Sequence, residues 1–206
     1  SRTMSSFAFI FSLRSYSVFL LGARAVPGLH GFRLGGAGAG LAGHHGIPVG
    51  HELRVIDVVD RQLEAYVKGV VGAFANDDRV LGWDIWNEPD NQGGDIEADV
   101  PAKVARVEGL LPKAFAWARA AHPTQPLTSG VWRGNWSDPA KESTMTKIQL
   151  AESDIITFHD YGWPEEFEAR ILSLQPLGRP VLCTEYMARG NGSTFDSSLP
   201  IAKKYN

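Results

Sequence analysis

Short apolar runs separated by segments of helical period constrain the fold of this chain more than any other feature. Residues 80–86, 126–131, 155–159 and 181–184 read as strands, bounded by Gly, Pro or polar clusters. Between them Val104, Val107, Leu110, Leu111, Ala114, Phe115 and Ala118 recur at helical spacing, and Phe167, Ile171 and Leu172 do so more weakly. A further helix is expected over 62–74. Near-continuous apolar strands alternating with helices predict parallel β/α units with both sheet faces covered. In such units catalytic groups collect at the carboxyl ends of the strands.

Two of the four strands end on a glutamate. The run VLGWDIWNEPD leads to Glu88, and RPVLCTEYM leads to Glu185. If the four strands are consecutive staves of an eight-stranded barrel, the first and fourth face each other obliquely across its mouth. Their carboxylates then stand about 5 Å apart, the separation a retaining glycosidase needs between nucleophile and general acid. On the intervening strand the two-residue repeat puts His159 and Tyr161 on one side. Asn87 precedes the first carboxylate and offers a hydrogen bond to a sugar hydroxyl, while Trp86, Trp132, Trp136 and Trp163 offer flat faces to sugar rings. A plainer reading stands beside each of these: Glu88 as a helix cap, His159 and Tyr161 as a satisfied core pair, and the tryptophans as packing.

The series WNEP, FHDYGWP and PVLCTEY resembles the family-5 glycoside hydrolases, retaining enzymes of the cellulase clan on (β/α)8 barrels. The resemblance implies Glu88 as acid/base, Glu185 as nucleophile, Asn87 as the contact to the sugar 2-hydroxyl, and His159 and Tyr161 as groups that orient Glu185. It also implies an oligosaccharide or polysaccharide substrate, with a β-glucan or β-mannan favoured among β-linked glycans. No cofactor and no metal are required. Glu185 must be ionised to attack, and Glu88 must hold a proton, which calls for a raised pKa. The likeness runs over roughly residues 62–206.

The expected fold is therefore α/β, an incomplete or rearranged (β/α)8 TIM barrel with parallel strands. A full barrel takes about 250 residues, against 206 in this chain. No eighth strand with its sugar-platform Trp follows Glu185, and no Arg-bearing second strand is legible. An incomplete barrel exposes strand edges and apolar interior, so a homo-oligomer that completes the barrel is one expectation. A carbohydrate-binding remnant without turnover is another.

Residues 1–52 read as an irregular, Gly-rich segment ahead of a glycosidase domain over 53–206. Residues 22–46 are dense in glycine and lack periodicity, so a flexible loop is the default expectation, and likeness to the family is lost through His51. Gly38, Gly40 and Gly43 match a dinucleotide fingerprint only by letter, because Gly46 and Pro48 follow where a helix is needed. His30, His44, His45 and His51 lack the helical spacing of a zinc pair and read as solvated. Over residues 1–21, Arg14 interrupts the apolar run, which is also too short for a membrane span. A strand at 16–21 is preferred there, with a degenerate signal segment as the alternative, so secreted and cytoplasmic locations both stay open.

The net charge of -3 gives no basic field for nucleic acid. The single cysteine, Cys183, cannot form an internal disulfide; it reads as a small core residue on the same strand face as Glu185. The acids at Asp95, Glu97 and Asp99 read as a solvated loop.

Overall fold

A computed structural model describes residues 8–13, 16–21, 49–91 and 100–205, with side chains over 58–91 and 103–205. The glycine-rich stretch 22–46, its fingerprint glycines, the His30, His44 and His45 cluster and the acids at 95–99 lie outside the described residues, as does the side chain of His51. No helix among the described residues is long and apolar enough to cross a membrane.

Six strands are present among the described residues: β1 (Ala8–Leu13), β2 (Tyr16–Leu21), β3 (Val80–Asp84), β4 (Leu127–Thr128), β5 (Ile156–His159) and β6 (Val181–Glu185). Among the described residues five α-helices accompany them: α1 (Val49–Ala73), α2 (Val100–Arg119), α3 (Thr144–Glu152), α4 (Pro164–Leu174) and α5 (Phe195–Lys204). α1 starts well before the expected residue 62 and crosses residue 52.

Strands β3 and β4 pair in parallel, as do β5 and β6. A parallel bridge from Val131 to Phe158 joins the two pairs, carried by Val131 N–H to Thr157 O at 3.0 Å and His159 N–H to Val131 O at 3.0 Å. The result is an arc of four parallel staves in chain order. The second stave is short because regular pairing stops after Thr128 and resumes only at Val131.

The strand at 16–21 forms as β2, but it runs antiparallel to β3, and β1 runs antiparallel to β2. Two residues separate β1 from β2 in sequence, too few for the crossover that a parallel pair needs. The β1–β4 sheet is thus mixed while β5 and β6 pair in parallel, and among the described residues the strands do not close into a barrel.

The helix-facing side of the arc holds two apolar clusters. Val67 and Val71 of α1, Leu111, Phe115 and Ala118 of α2, and Trp83, Ile85 and Leu127 form one. Val131, Ile156, Phe158, Leu150, Phe167, Ile171 and Leu174 form the other. Each strand sends alternate residues into these clusters, which turns the residues between them toward the opposite, interior face. Asp84, Thr128, Thr157 and His159 are the buried polar residues of those intervening positions.

Candidate active site

The residues that end β3 are held in a strained turn. Glu88 has φ 45°, a left-handed conformation unusual for a residue with a side chain, and it precedes Pro89, which disfavours helical values further. The turn closes with Asn91 N–H to Glu88 O at 2.9 Å, and Pro89 is fully buried beneath it. Strain of this kind persists where surrounding contacts determine the position, and it concentrates at functional sites.

Those contacts act on the carboxylate. His159 Nδ1 lies 2.8 Å from Glu88 Oε1, and Asn91 Nδ2 donates to Oε2 at 2.5 Å. The His159 bond, with a smaller contribution from Asn91, holds the Glu88 carboxyl below the usual range although burial pulls the other way. The raised pKa expected for an acid is therefore not present in this state. Direct donors to Glu88 outweigh the cost of its burial. Since an ionised carboxylate only accepts, Nδ1 carries the proton of that bond.

Glu185 reaches the same histidine from the other side, with Oε1 at 3.5 Å from Nε2, and Oε2 accepts from the Tyr161 hydroxyl. Burial and the Glu185 carboxylate together push the Tyr161 phenol up, so it stays a donor. His159 is 2% exposed. It lies between the two glutamates and bonds Glu88 closely, instead of serving Glu185 alone. A carboxylate oxygen of Glu88, a ring nitrogen of His159 and a carboxylate oxygen of Glu185 lie within 4.8 Å of one another.

A bulge puts Glu185 there. Phe158 pairs with Cys183, but His159 pairs with Glu185, so Thr184 is the extra residue. Strict alternation would set Cys183 and Glu185 on one face, as the sequence predicts. The bulge separates them: Cys183 packs against the second apolar cluster, and Glu185 turns inward to His159. Burial pushes the Cys183 thiol up to about 12, away from the thiolate that a nucleophile needs.

Gly130 makes the close approach of the second and third staves possible. A Cβ there would stand 3.1 Å from Thr157 Oγ1 and 3.5 Å from His159 Nε2. Beside it Thr128 Oγ1 and Thr157 Oγ1 share a hydrogen bond of 2.8 Å.

The tryptophans divide. Trp136 is buried, edge-on to Phe158 and covered by the Arg170 guanidinium, so it is a packing residue. Trp86 packs against the first apolar cluster while its backbone bonds Asp84 and Ser129. Trp132 is half-buried and donates Nε1–H to Asp90 Oδ1 at 2.6 Å, two residues past Glu88. Trp163 is 61% exposed and lies against Gly192, whose added Cβ would collide with the ring. Asn87 is half-buried next to Glu88.

Two acids near the site were not singled out by sequence reasoning. Asp84 is buried on the interior side of β3, and desolvation pushes its carboxyl up to about 7. Its signal was an acid inside an otherwise apolar run. Asp90 anchors Trp132, a role that depends on a contact across 42 positions and leaves no local trace. A depression of about 320 Å³ lined by Arg119, His122, Gln125 and Asp154 lies at the other end of the strands, where the Arg119–Asp154 ion pair stitches α2 to the loop before β5.

Parallel strands with helical cover define an α/β protein, in which two strands lead to carboxylates on either side of one histidine. Residues 41–200 match the family model Cellulase (glycosyl hydrolase family 5), and the chain belongs to that family. The match begins at residue 41 and includes His51, so likeness to the family reaches further toward the amino terminus than the motifs alone indicate. None of the curated proteins and none of the solved structures matches the chain. Family membership makes this a glycoside hydrolase of the cellulase group, whose members typically adopt the TIM barrel.

Proposed function

We propose that the chain hydrolyses β-linked glycans with retention of configuration, Glu185 acting as nucleophile and Glu88 as acid/base. The observation that carries the reading is the approach of the two carboxylates to opposite nitrogens of one imidazole, with oxygens within 4.8 Å. That approach is closer to the separation of a retaining pair, about 5–5.5 Å, than to that of an inverting pair, about 6.5–9.5 Å. Glu185 attacks the anomeric carbon and forms a glycosyl ester as the leaving oxygen takes a proton from Glu88. Glu88 then deprotonates the water that breaks the ester. Substrate covering Glu88 strips water from it and so acts in the raising direction that burial already supplies.

Asn87 is assigned to the sugar 2-hydroxyl, His159 and Tyr161 to the positioning of the carboxylates, and exposed Trp163 to a sugar face. Trp132, fixed by Asp90, is assigned a second sugar contact at the rim, while Trp86 serves through its packing under the site. The substrate class is an endo-glucanase or mannanase type of polysaccharide, and the fold is a (β/α)8 barrel in incomplete or rearranged form.

A second reading rests on β6. Leu182 is 37% exposed on it, with Phe195 and Leu199 exposed on α5. Such a surface favours a carbohydrate-binding barrel fragment that self-associates as a homo-oligomer.

Reducing-sugar release from β-glucan, carboxymethyl cellulose, mannan and xylan tests the first reading. Glu88→Gln is expected to lose about 10²–10⁴-fold, and Glu185→Gln is expected to fall to background. Unchanged turnover in either variant, or inverted product by NMR early in hydrolysis, overturns it. Sugar binding without turnover, together with a dimer mass by light scattering, favours the second reading.

A further inference from the structure

His159 has one nitrogen fully used and one idle. Nδ1–H donates to Glu88, while Nε2 is buried and has no hydrogen-bond partner. A buried polar atom in that condition calls for an explanation. At 3.5 Å, Glu185 Oε1 is too far for a good hydrogen bond to Nε2. It is, however, at the spacing of two ligands on one tetrahedral ion, since bonds of about 2.0–2.1 Å put neighbouring ligand atoms about 3.4 Å apart.

We propose that His159 Nε2 and Glu185 Oε1 form a binding site for a divalent transition metal ion, zinc by its chemistry, and that occupancy there blocks the nucleophile.

The surroundings have the form of a metal site. The Nδ1–H to carboxylate bond is the outer support that fixes the tautomer of a ligating imidazole and leaves Nε2 as the lone pair. Tyr161 takes the other Glu185 oxygen, which leaves Oε1 for the ion. Gly130 keeps the space beside Nε2 free of a side chain. Glu185 is 29% exposed at its side chain, so water can reach the remaining coordination positions. Glu88 adds a second negative charge close by. An imidazole with a carboxylate selects zinc or its neighbours over calcium and magnesium, which prefer oxygen alone. The blocking effect, though not the binding, rests on the reading of Glu185 as nucleophile.

Titration calorimetry of the full chain with zinc chloride tests the site without using turnover. The expected result is one binding event that weakens at least tenfold in Glu185→Gln, which preserves side-chain shape at a partly exposed position. Glu88→Gln is expected to weaken it about 10–100-fold by removing the outer support. Absence of binding overturns the proposal. So does binding that Glu185→Gln leaves unchanged, since that heat would belong to other histidines such as His30, His44, His45 and His51. Glycan hydrolysis that persists at saturating zinc overturns the blocking role while leaving the hydrolase reading intact. Glu185-dependent zinc binding in a chain without turnover leaves the metal site standing and removes the hydrolase reading.

Discussion

β3, which delivers Glu88, pairs on both sides, with β2 and with β4, whereas β6, which delivers Glu185, pairs among the described residues with β5 alone. The two strands differ in how they aim their glutamates. Trp83 of β3 and Ile85 just past it are buried against the helices, and Trp83 Nε1–H donates to Gln125, whose amide in turn binds Phe74 O and Asp77 O. That network fixes the strand rigidly to the end of α1, and the strained turn at Glu88 is built upon it. On β6 Leu182 is exposed and Val181, Cys183 and Glu185 are half-buried, so the aim of Glu185 comes from a bulge and from Tyr161 and His159. One carboxylate thus rises from a strand paired on both edges, and the other from a bulged strand paired, among the described residues, on one. The strand under Glu88 is therefore the more firmly packed of the two, whereas Glu185 depends more on the local bulge and on its Tyr161 contact.

Truncation in the two strands is the strongest way to break that contrast. Trp83→Ala should cost about 3–5 kcal/mol, and Leu182→Ala less than about 1 kcal/mol, both read from urea denaturation. Equal costs would mean that β6 is as firmly packed as β3.

A pH slope sharpens it next. Asp84, ordinarily at 3.8, is pushed up to about 7 by desolvation on β3, against the pull of His159. The folded chain therefore keeps a proton that the unfolded chain releases above about 4. The stability this group contributes is complete at low pH and is lost as pH rises toward 7. Asp84→Asn, which retains an oxygen for the Trp86 N–H, should flatten that slope and exceed the parent in stability at pH 8. A variant with the parent's slope would show that Asp84 is solvated, and that β3 is less tightly closed than its burial indicates.

The smallest effect compares the turns that follow the strands. Met187 has φ 84°, two residues past Glu185, much as Glu88 stands at φ 45°. Met187→Gly removes the Cβ conflict and should stabilise by about 0.5–1 kcal/mol, net of the entropy glycine adds to the unfolded chain. Loss of stability instead would show that the Met187 side chain, and not the backbone, holds this turn.

The four parallel strands and their order were legible in the chain because a buried stave needs an unbroken apolar run, and such runs are visible without tertiary information. So were the glutamates at the strand ends, and so was the helical period of α2, whose Leu111, Ala114, Phe115 and Ala118 are all buried. The shortening of β4 to two residues was not legible, because the Ser129 N–H donates to Ser153 Oγ and the Gly130 carbonyl accepts from Gln149, partners 24 and 19 positions away. The antiparallel course of β2 was not legible either, since a strand's direction depends on which edge it meets.

Sequence by itself determined that this is an α/β chain of the cellulase family with two glutamates carried to the carboxyl ends of parallel strands. Periodicity and motif are local properties, and local properties suffice for that. Only the tertiary structure decided that His159 bonds Glu88 and faces Glu185, that a bulge turns Glu185 away from Cys183, and that Trp136 belongs to the core while Trp163 faces solvent. Each of those outcomes depends on distances between residues far apart in the chain, and on which neighbour excludes water, quantities that exist only once the staves have come together.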